Sequence, residues 1–155
     1  MEYTILQHSA FKVVGLRKRY AHGPGEIPAL WQEFVPRMAE ITNRAGQGVS
    51  YGVMGNFDPQ TNTFDYQAAI PVSGDAPLPE GMVAWSIPEQ TYAVFKSTLQ
   101  NIGETFGKIY GGWFEQSGYK RATGPEFEYY GSEFCPDKGS AVIYVWVPVV
   151  PKSSV

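Results

Sequence analysis

The feature that most constrains this fold is an internal repeat. Phe57-Asp58-Pro59 matches Phe134-Cys135-Pro136, and Pro71 matches Pro148, in both cases 77 residues later. Each pair of prolines brackets a turn and a strand, and upstream of them both copies read strand, helix, strand, strand. The repeat therefore predicts that the chain is built from two similar β-α-β-β halves.

The two halves are expected at about residues 3–72 and 82–150, joined by a Pro-rich linker at 73–81 in one domain over 1–155. Such halves combine into one antiparallel sheet with both helices on one face, an α+β fold. The groove between the helices, on the pseudo-twofold axis, is then the expected pocket.

Apolar spacing predicts helices over residues 27–43 and 101–116, and Pro36 should kink the first or divide it in two. The second carries a glycine stripe that either packs closely on the sheet or leaves one flank open: Gly103, Gly107, Gly111 and Gly112.

Seven segments rich in β-branched and aromatic residues are predicted as strands: 11–20, 49–57, 63–72, 82–87, 91–97, 126–133 and 141–148. Residues 82–97 read either as one strand interrupted at Pro88 or as an extended entry followed by a strand.

Composition excludes several classes of protein. The net charge of −3 gives no electrostatic footprint for nucleic acid or for an anionic membrane. No apolar run approaches the roughly 18 residues of a membrane span, and the N-terminus does not read as a signal peptide. We expect a cytoplasmic protein that binds neither membrane nor, by itself, nucleic acid.

Metal and cofactor chemistry has no sequence signature. Cys135 is the one cysteine, and the two histidines, His8 and His22, lack metal-ligand spacing, so we expect no metal and no cofactor. Gly48 to Gly52 fits G-x-S-x-G, but a strand follows the serine where a nucleophile elbow needs a helix, so the match is read as accidental.

Aromatic residues make up 15% of the chain and charged residues 17%, against roughly 25% charged in an average soluble protein. Within the aromatic Phe127 to Tyr130 stretch lies an acid, Glu128. Period-two alternation puts Glu126, Glu128 and Tyr130 on one strand face, which is either solvated or turned into the cleft. The 77-residue offset makes Tyr51 the pseudosymmetric mate of Glu128.

Several stretches together resemble the GyrI-like, or AraC-type, effector-binding domain family over about residues 3–150. They are IPALWQEFVPRM, IPEQTYAVFKSTL, GGWFEQSGYKRATGPEFEYY and IYVWVPV. The resemblance implies paired β-α-β-β modules with a ligand cleft, in which the acid of the F-E-x-Y strand meets cationic, aromatic-rich compounds. The resemblance implies that Glu128 takes that role here.

By position, the family's surrounding aromatics are assigned to Tyr51, Trp31, Trp85, Tyr92, Tyr110, Trp113 and Tyr130. Many relatives are fused to a helix-turn-helix domain. Only PKSSV follows residue 150 here, so we expect that this chain does not itself bind an operator, although a regulator or enzyme partner is possible.

Three functions fit these residues. The favoured one is a protein that senses or sequesters a lipophilic cationic or aromatic ligand. The second is a hydrolase of strained electrophiles such as cyclopropanoids, with Glu128 as general base and Tyr51 or Tyr130 polarising the leaving group or the water. The third is an inhibitory protein-binding module, whose mark would be a large exposed apolar patch.

Overall fold

The computed structural model describes residues 1–21, 26–131, 134, 138 and 141–152. His22, Cys135 and Pro136, and with the last two the second copy of the Phe-x-Pro motif, lie outside the described residues. The strands are β1 (Thr4–His8), β2 (Phe11–Ala21), β3 (Ser50–Asp58), β4 (Thr63–Val72), β5 (Val83–Ile87), β6 (Gln90–Thr98), β7 (Tyr119–Arg121), β8 (Glu126–Tyr130) and β9 (Val142–Pro151).

The first helical segment changes type where proline requires it. Helix α1 (Ile27–Phe34) starts with a proline in its first turn and gives way to a 3₁₀ helix over Val35–Glu40. Pro36 has no backbone N–H to continue the α-helical ladder, so the expected break is confirmed.

The second helical segment follows a 3₁₀ turn at Leu99–Asn101. It runs through α2 (Ile102–Lys108), a π-helical turn at Ile109–Trp113 that contains Gly111 and Gly112, and α3 (Phe114–Gln116). A Cβ added at any of its four stripe glycines would meet no atom within 4 Å, so the open-flank interpretation holds over close packing.

The sheet order is β1-β6-β9-β8-β3-β4-β2-β5, with β7 paired to β9. The central six strands are symmetric: β6-β9-β8 from the second half mirrors β2-β4-β3 from the first. The two halves meet at the antiparallel β3–β8 pair, and the predicted α+β arrangement is confirmed.

The outer strands are exchanged between the halves, which the sequence did not reveal. Strand β1 pairs with β6 of the second half, and β5 pairs with β2 of the first. The two pairings follow one continuous antiparallel register, which is interrupted only at Ser9–Ala10 and Pro88–Glu89. Because these two pairs stand at opposite ends of the strand order, the sheet curls back on itself.

Apolar residues form three clusters on the two sheet faces. Leu30 and Phe34 of α1 pack with Tyr66 and Ile70 on one face of the first half. On the same face of the second half, Trp113 and its neighbours cover Phe95. The opposite face carries its own aromatic cluster: Phe11, Tyr51, Trp85, Tyr92, Phe127, Tyr129 and Trp146. Both helical segments therefore cover one face, with β3 and β8 between them.

Two glycines provide a test of this packing. Gly107→Ala should raise the free energy of unfolding by roughly 0.5–1 kcal/mol, because the helix gains propensity and the new methyl group meets nothing. Gly15→Ala should lower it by about 1–3 kcal/mol, because its Cβ would lie 1.8 Å from the Ala68 carbonyl oxygen and force β2 away from β4. Urea unfolding measures both changes, and equal effects would contradict the packing described.

Candidate functional site

The carboxylate of Glu128 lies on the helix-covered face at the centre of the sheet. Glu128 stands in β8 directly opposite Gly52 of β3, and only 8% of it is exposed. Alternation along β8 turns Phe127 and Tyr129 to the opposite face, where they join the aromatic cluster. Glu128 therefore lies on the helix-covered face and not on a solvated one, and its place in a ligand cleft stays a prediction.

Two tyrosine hydroxyls donate to the same carboxylate oxygen. Tyr66 and Tyr130 each donate to Oε1 of Glu128 at 2.7 Å. The indole N–H of Trp31, from α1, donates to the Tyr66 hydroxyl at 2.9 Å. An indole N–H can only donate, so the Tyr66 hydroxyl accepts from Trp31 and gives its one proton to Glu128.

Gly52 creates the space in which these groups meet. Tyr66 belongs to β4 and must reach across β3 to touch Glu128 of β8. A Cβ at position 52 would lie 2.1 Å from the Tyr66 hydroxyl oxygen and 2.5 Å from Oε1 of Glu128. Only glycine leaves this crossing point open.

The same glycine lies on the pseudo-twofold axis. Gly52 pairs with Ala68 and Glu128 with Val145, and these partners are 77 residues apart, as the repeat requires. Sixteen residues separate Gly52 from Ala68 but seventeen separate Glu128 from Val145, so the offset is 76 at the centre of the sheet. The mate of Glu128 is therefore Gly52, and the sequence-based assignment of Tyr51 is wrong by one residue.

Burial raises the pKa of Glu128, because the charged form loses its hydration. The hydrogen bonds from Tyr130 and Tyr66 act in the opposite direction, and nearby Glu126 raises the pKa further. The pKa values of both hydroxyls lie well above 10, mainly through burial and then through the negative charge of Glu128, so both remain donors at neutral pH.

Of the predicted aromatic residues, Tyr130 bonds to Glu128 directly and Trp31 bonds to it through Tyr66. Their ring centroids lie 5.3 Å apart with planes at 67°, and Phe134 packs against Tyr130 at 4.8 Å. The hydroxyl of Tyr110 donates to Glu126 and accepts from Arg121. These three predicted residues share the helix-covered face with Glu128.

Three other predicted site residues lie on the face of the sheet opposite Glu128. Tyr51, Trp85 and Tyr92 pack in the opposite aromatic cluster, because strand alternation turns them away from Glu128. The ring of Trp85 is already covered by the Arg17 guanidinium, 4.2 Å from its centroid. None of the three can line a cleft at Glu128.

Trp113 serves the core of the second half. It is 8% exposed and packs edge-on against Phe95 and Tyr3, with 4.9 Å between centroids in each case. Its π-helical turn points it into the sheet beneath the helix, away from the cleft.

Tyr66 and Gly52 are the site residues that sequence reasoning missed. Tyr66 lies on the same face of β4 as Ala68, Ile70 and Val72, because every second residue of a strand points the same way. Its helix-facing orientation could therefore be predicted from the sequence pattern. The contact of Tyr66 with Glu128 across β3 could not be predicted in this way, because it depends on β4, β3 and β8 being neighbours in the sheet.

Two open concavities lie elsewhere. One of about 860 Å³ is lined by exposed Tyr3, Leu6 and Tyr144 together with Trp146. The other, about 620 Å³, runs along Gly107 and Gly112. Neither is lined by Glu128.

Gly52→Ala should disrupt the site. The added methyl group overlaps the Tyr66 hydroxyl and the Glu128 carboxylate, so we expect a loss of about 1–3 kcal/mol in the free energy of unfolding. Urea unfolding measures it, with Gly107→Ala as the matched glycine control. A neutral result would show that Tyr66 and Glu128 do not meet over Gly52.

Glu128→Gln should stabilise the protein at pH 7. A folded-state pKa above the unfolded value means that the stability contributed by Glu128 is full below the unfolded pKa, about 4.3, and is lost as pH rises through the folded pKa. The glutamine keeps an acceptor oxygen and has no charge to bury. Thermal unfolding should show a higher Tm than wild type at pH 7, with the difference shrinking toward pH 3.

Exposed Glu89→Gln controls for the loss of one negative charge in that experiment. A Tm difference between Glu128→Gln and wild type that did not change with pH would contradict the assignment of Glu128 as a buried, desolvated acid.

No helix among the described residues has the length and apolar character needed to cross a membrane.

The chain is 35% identical over 153 residues to the transcriptional regulator BrlR of Pseudomonas aeruginosa strain PAO1. That match covers 96% of this chain and 56% of the relative, so the chain spans about half the length of the curated relative.

Two solved structures share the fold. The structure of SAV2435 bound to tetraphenylphosphonium superposes with a TM-score of 0.77 at 17% identity, covering 97% of this chain and 94% of that one. The integron cassette protein VCH_CASS2 of Vibrio cholerae gives a TM-score of 0.71 at 21% identity, covering 96% of this chain and 95% of that one.

A family model, the GyrI-like small molecule binding domain, matches residues 1–150. With this match over nearly its whole length and the buried acid at its pseudo-twofold axis, the chain belongs to the GyrI-like small-molecule-binding domain family.

Proposed function

We propose that the cleft binds a lipophilic cationic compound, with Glu128 as its counter-charge, and that the protein senses or sequesters that compound. The observation that carries this proposal is a buried carboxylate without a cationic partner. Among the described residues, no lysine, arginine or histidine lies within ion-pair distance of Glu128. The charge is held by neutral hydroxyls alone.

Such a carboxylate favours a cation over other ligands. Its ionised form is poorly solvated, and a cation that enters the cleft restores the lost favourable electrostatics. The faces of Trp31 and Tyr130 would add cation–π attraction of about 0.5–2 kcal/mol each. Both effects require a ligand with an apolar body, because a strongly hydrated cation gains less from leaving water.

The comparisons support this proposal. SAV2435, which shares the fold, is described as bound to tetraphenylphosphonium, a lipophilic cation. The curated relative is a transcriptional regulator, which makes ligand sensing for a regulator the natural role of this domain. A separate regulator or enzyme as partner of this chain belongs to the same proposal.

Tetraphenylphosphonium and tetraphenylborate, ions of like shape and opposite charge, provide the test. Tryptophan fluorescence titration at pH 7.5 should show that the phosphonium binds wild type at least about 10-fold tighter than Glu128→Gln, a difference of roughly 1.4 kcal/mol. The borate should bind wild type more weakly than the variant. Equal phosphonium affinities would contradict the proposal.

Hydrolysis of a strained electrophile remains a second candidate on the same residues. A buried acid with a raised pKa beside the Tyr130 hydroxyl is a workable general base with a polarising partner. Tyr51 cannot share that role, because it faces the other side of the sheet. Turnover of a cyclopropane-bearing electrophile that is lost in Glu128→Gln would favour this candidate, and turnover that survives the substitution would contradict it.

An inhibitory protein-binding module would use a different surface. The exposed side chains of Tyr3, Leu6 and Tyr144 around the larger concavity are the apolar patch that such a function needs. Binding of a partner protein there would be independent of Glu128.

A further inference from the structure

The hydrogen-bond directions around Glu128 restrict which cations it can accept. Oε1 already receives two O–H donors, each at 2.7 Å, from Tyr66 and Tyr130. The Tyr66 hydroxyl accepts from the Trp31 indole and donates its one proton to Glu128, because an ionised carboxylate can only accept. The carboxylate therefore offers an incoming ligand one oxygen, Oε2.

A guanidinium or amidinium group is poorly matched to such a carboxylate. These planar cations bind carboxylates through a fork of two parallel N–H bonds, one to each oxygen. Here the fork meets one available carboxylate oxygen and, at most, the remaining lone pair of the Tyr130 hydroxyl. The other N–H groups of a guanidinium would face the rings of Trp31 and Tyr130, which are poor hydrogen-bond acceptors, and leaving those donors unpaired is unfavourable.

An onium cation carries the same charge without N–H donors. A quaternary ammonium or phosphonium needs only a nearby negative charge and aromatic faces. Trp31 from α1 and Tyr130 from β8 present rings at 67° to one another beside the carboxylate, so two walls of such a site are in place.

We infer that this cleft selects onium cations over guanidinium and amidinium cations of equal charge and size, because Tyr66 and Tyr130 occupy the second carboxylate oxygen of Glu128. Tyr66 and Tyr130 are thereby specificity-determining residues. This inference rests on the proposed function, since it concerns which cation Glu128 binds.

The test compares benzyltrimethylammonium with benzylguanidinium, which share one aromatic body and one charge. Calorimetric titration of wild type at pH 7.5 should give at least 10-fold tighter binding of the ammonium. In Tyr130→Phe and in Tyr66→Phe, Oε1 loses one donor, so the ratio of the two affinities should fall several-fold. Tyr129→Phe is the matched control, because its side chain lies on the opposite face and its ratio should stay at the wild-type value.

Equal or tighter binding of the guanidinium by wild type would overturn the inference, and this comparison stands even where a tyrosine variant fails to fold. A ratio unchanged in both folded tyrosine variants would also overturn it. If Glu128→Gln altered neither affinity, the proposed function itself would fail. Binding that depends on Glu128 without discrimination between the cations would contradict the selectivity alone.

Discussion

The site depends on one contact: two tyrosine hydroxyls that meet a single carboxylate oxygen above a glycine. Burying Glu128 is unfavourable, and the hydroxyls of Tyr66 and Tyr130 offset part of that cost without neutralising the charge. A lysine or arginine in their place would neutralise the charge and fill the site. The arrangement keeps the acid buried and oriented, with no cationic partner among the described residues.

The symmetry of the sheet explains where this contact lies. Repetition of a β-α-β-β half places β3 and β8 side by side on the pseudo-twofold axis, with a helical segment on either side. Symmetry alone would put equivalent side chains at positions 52 and 128, and two acids there would repel each other. Glycine at one position and glutamate at the other give a single charge, and the missing side chain leaves room for Tyr66.

Much of this architecture could be predicted from the sequence, and each prediction that was wrong has an identifiable physical cause. The repeat predicted the α+β fold, and proline chemistry predicted the break at Pro36. Alternation placed Glu126, Glu128 and Tyr130 on one strand face but left open whether that face was solvated. Tyr51 was misplaced because the second copy has one residue more between Glu128 and Val145 than the first has between Gly52 and Ala68, and a shift of one residue reverses the face of a strand. Strand β1 was missed because it is short and partly exposed, and its partner β6 lies in the other half. The reach of Tyr66 across β3 depends on strand neighbours that no local pattern encodes.

The central claim is that a cation pairs with the ionised carboxylate of Glu128, whose pKa is raised by burial. Binding must then stabilise the ionised form and release protons at a pH where Glu128 is partly protonated. Calorimetric titration with tetraphenylphosphonium in buffers of different ionisation enthalpy, repeated from pH 4.5 to 8, measures that release. The account predicts proton release by wild type that disappears at high pH and is absent in Glu128→Gln. Tight binding without proton release at any pH, or with the same release in the variant, would contradict it.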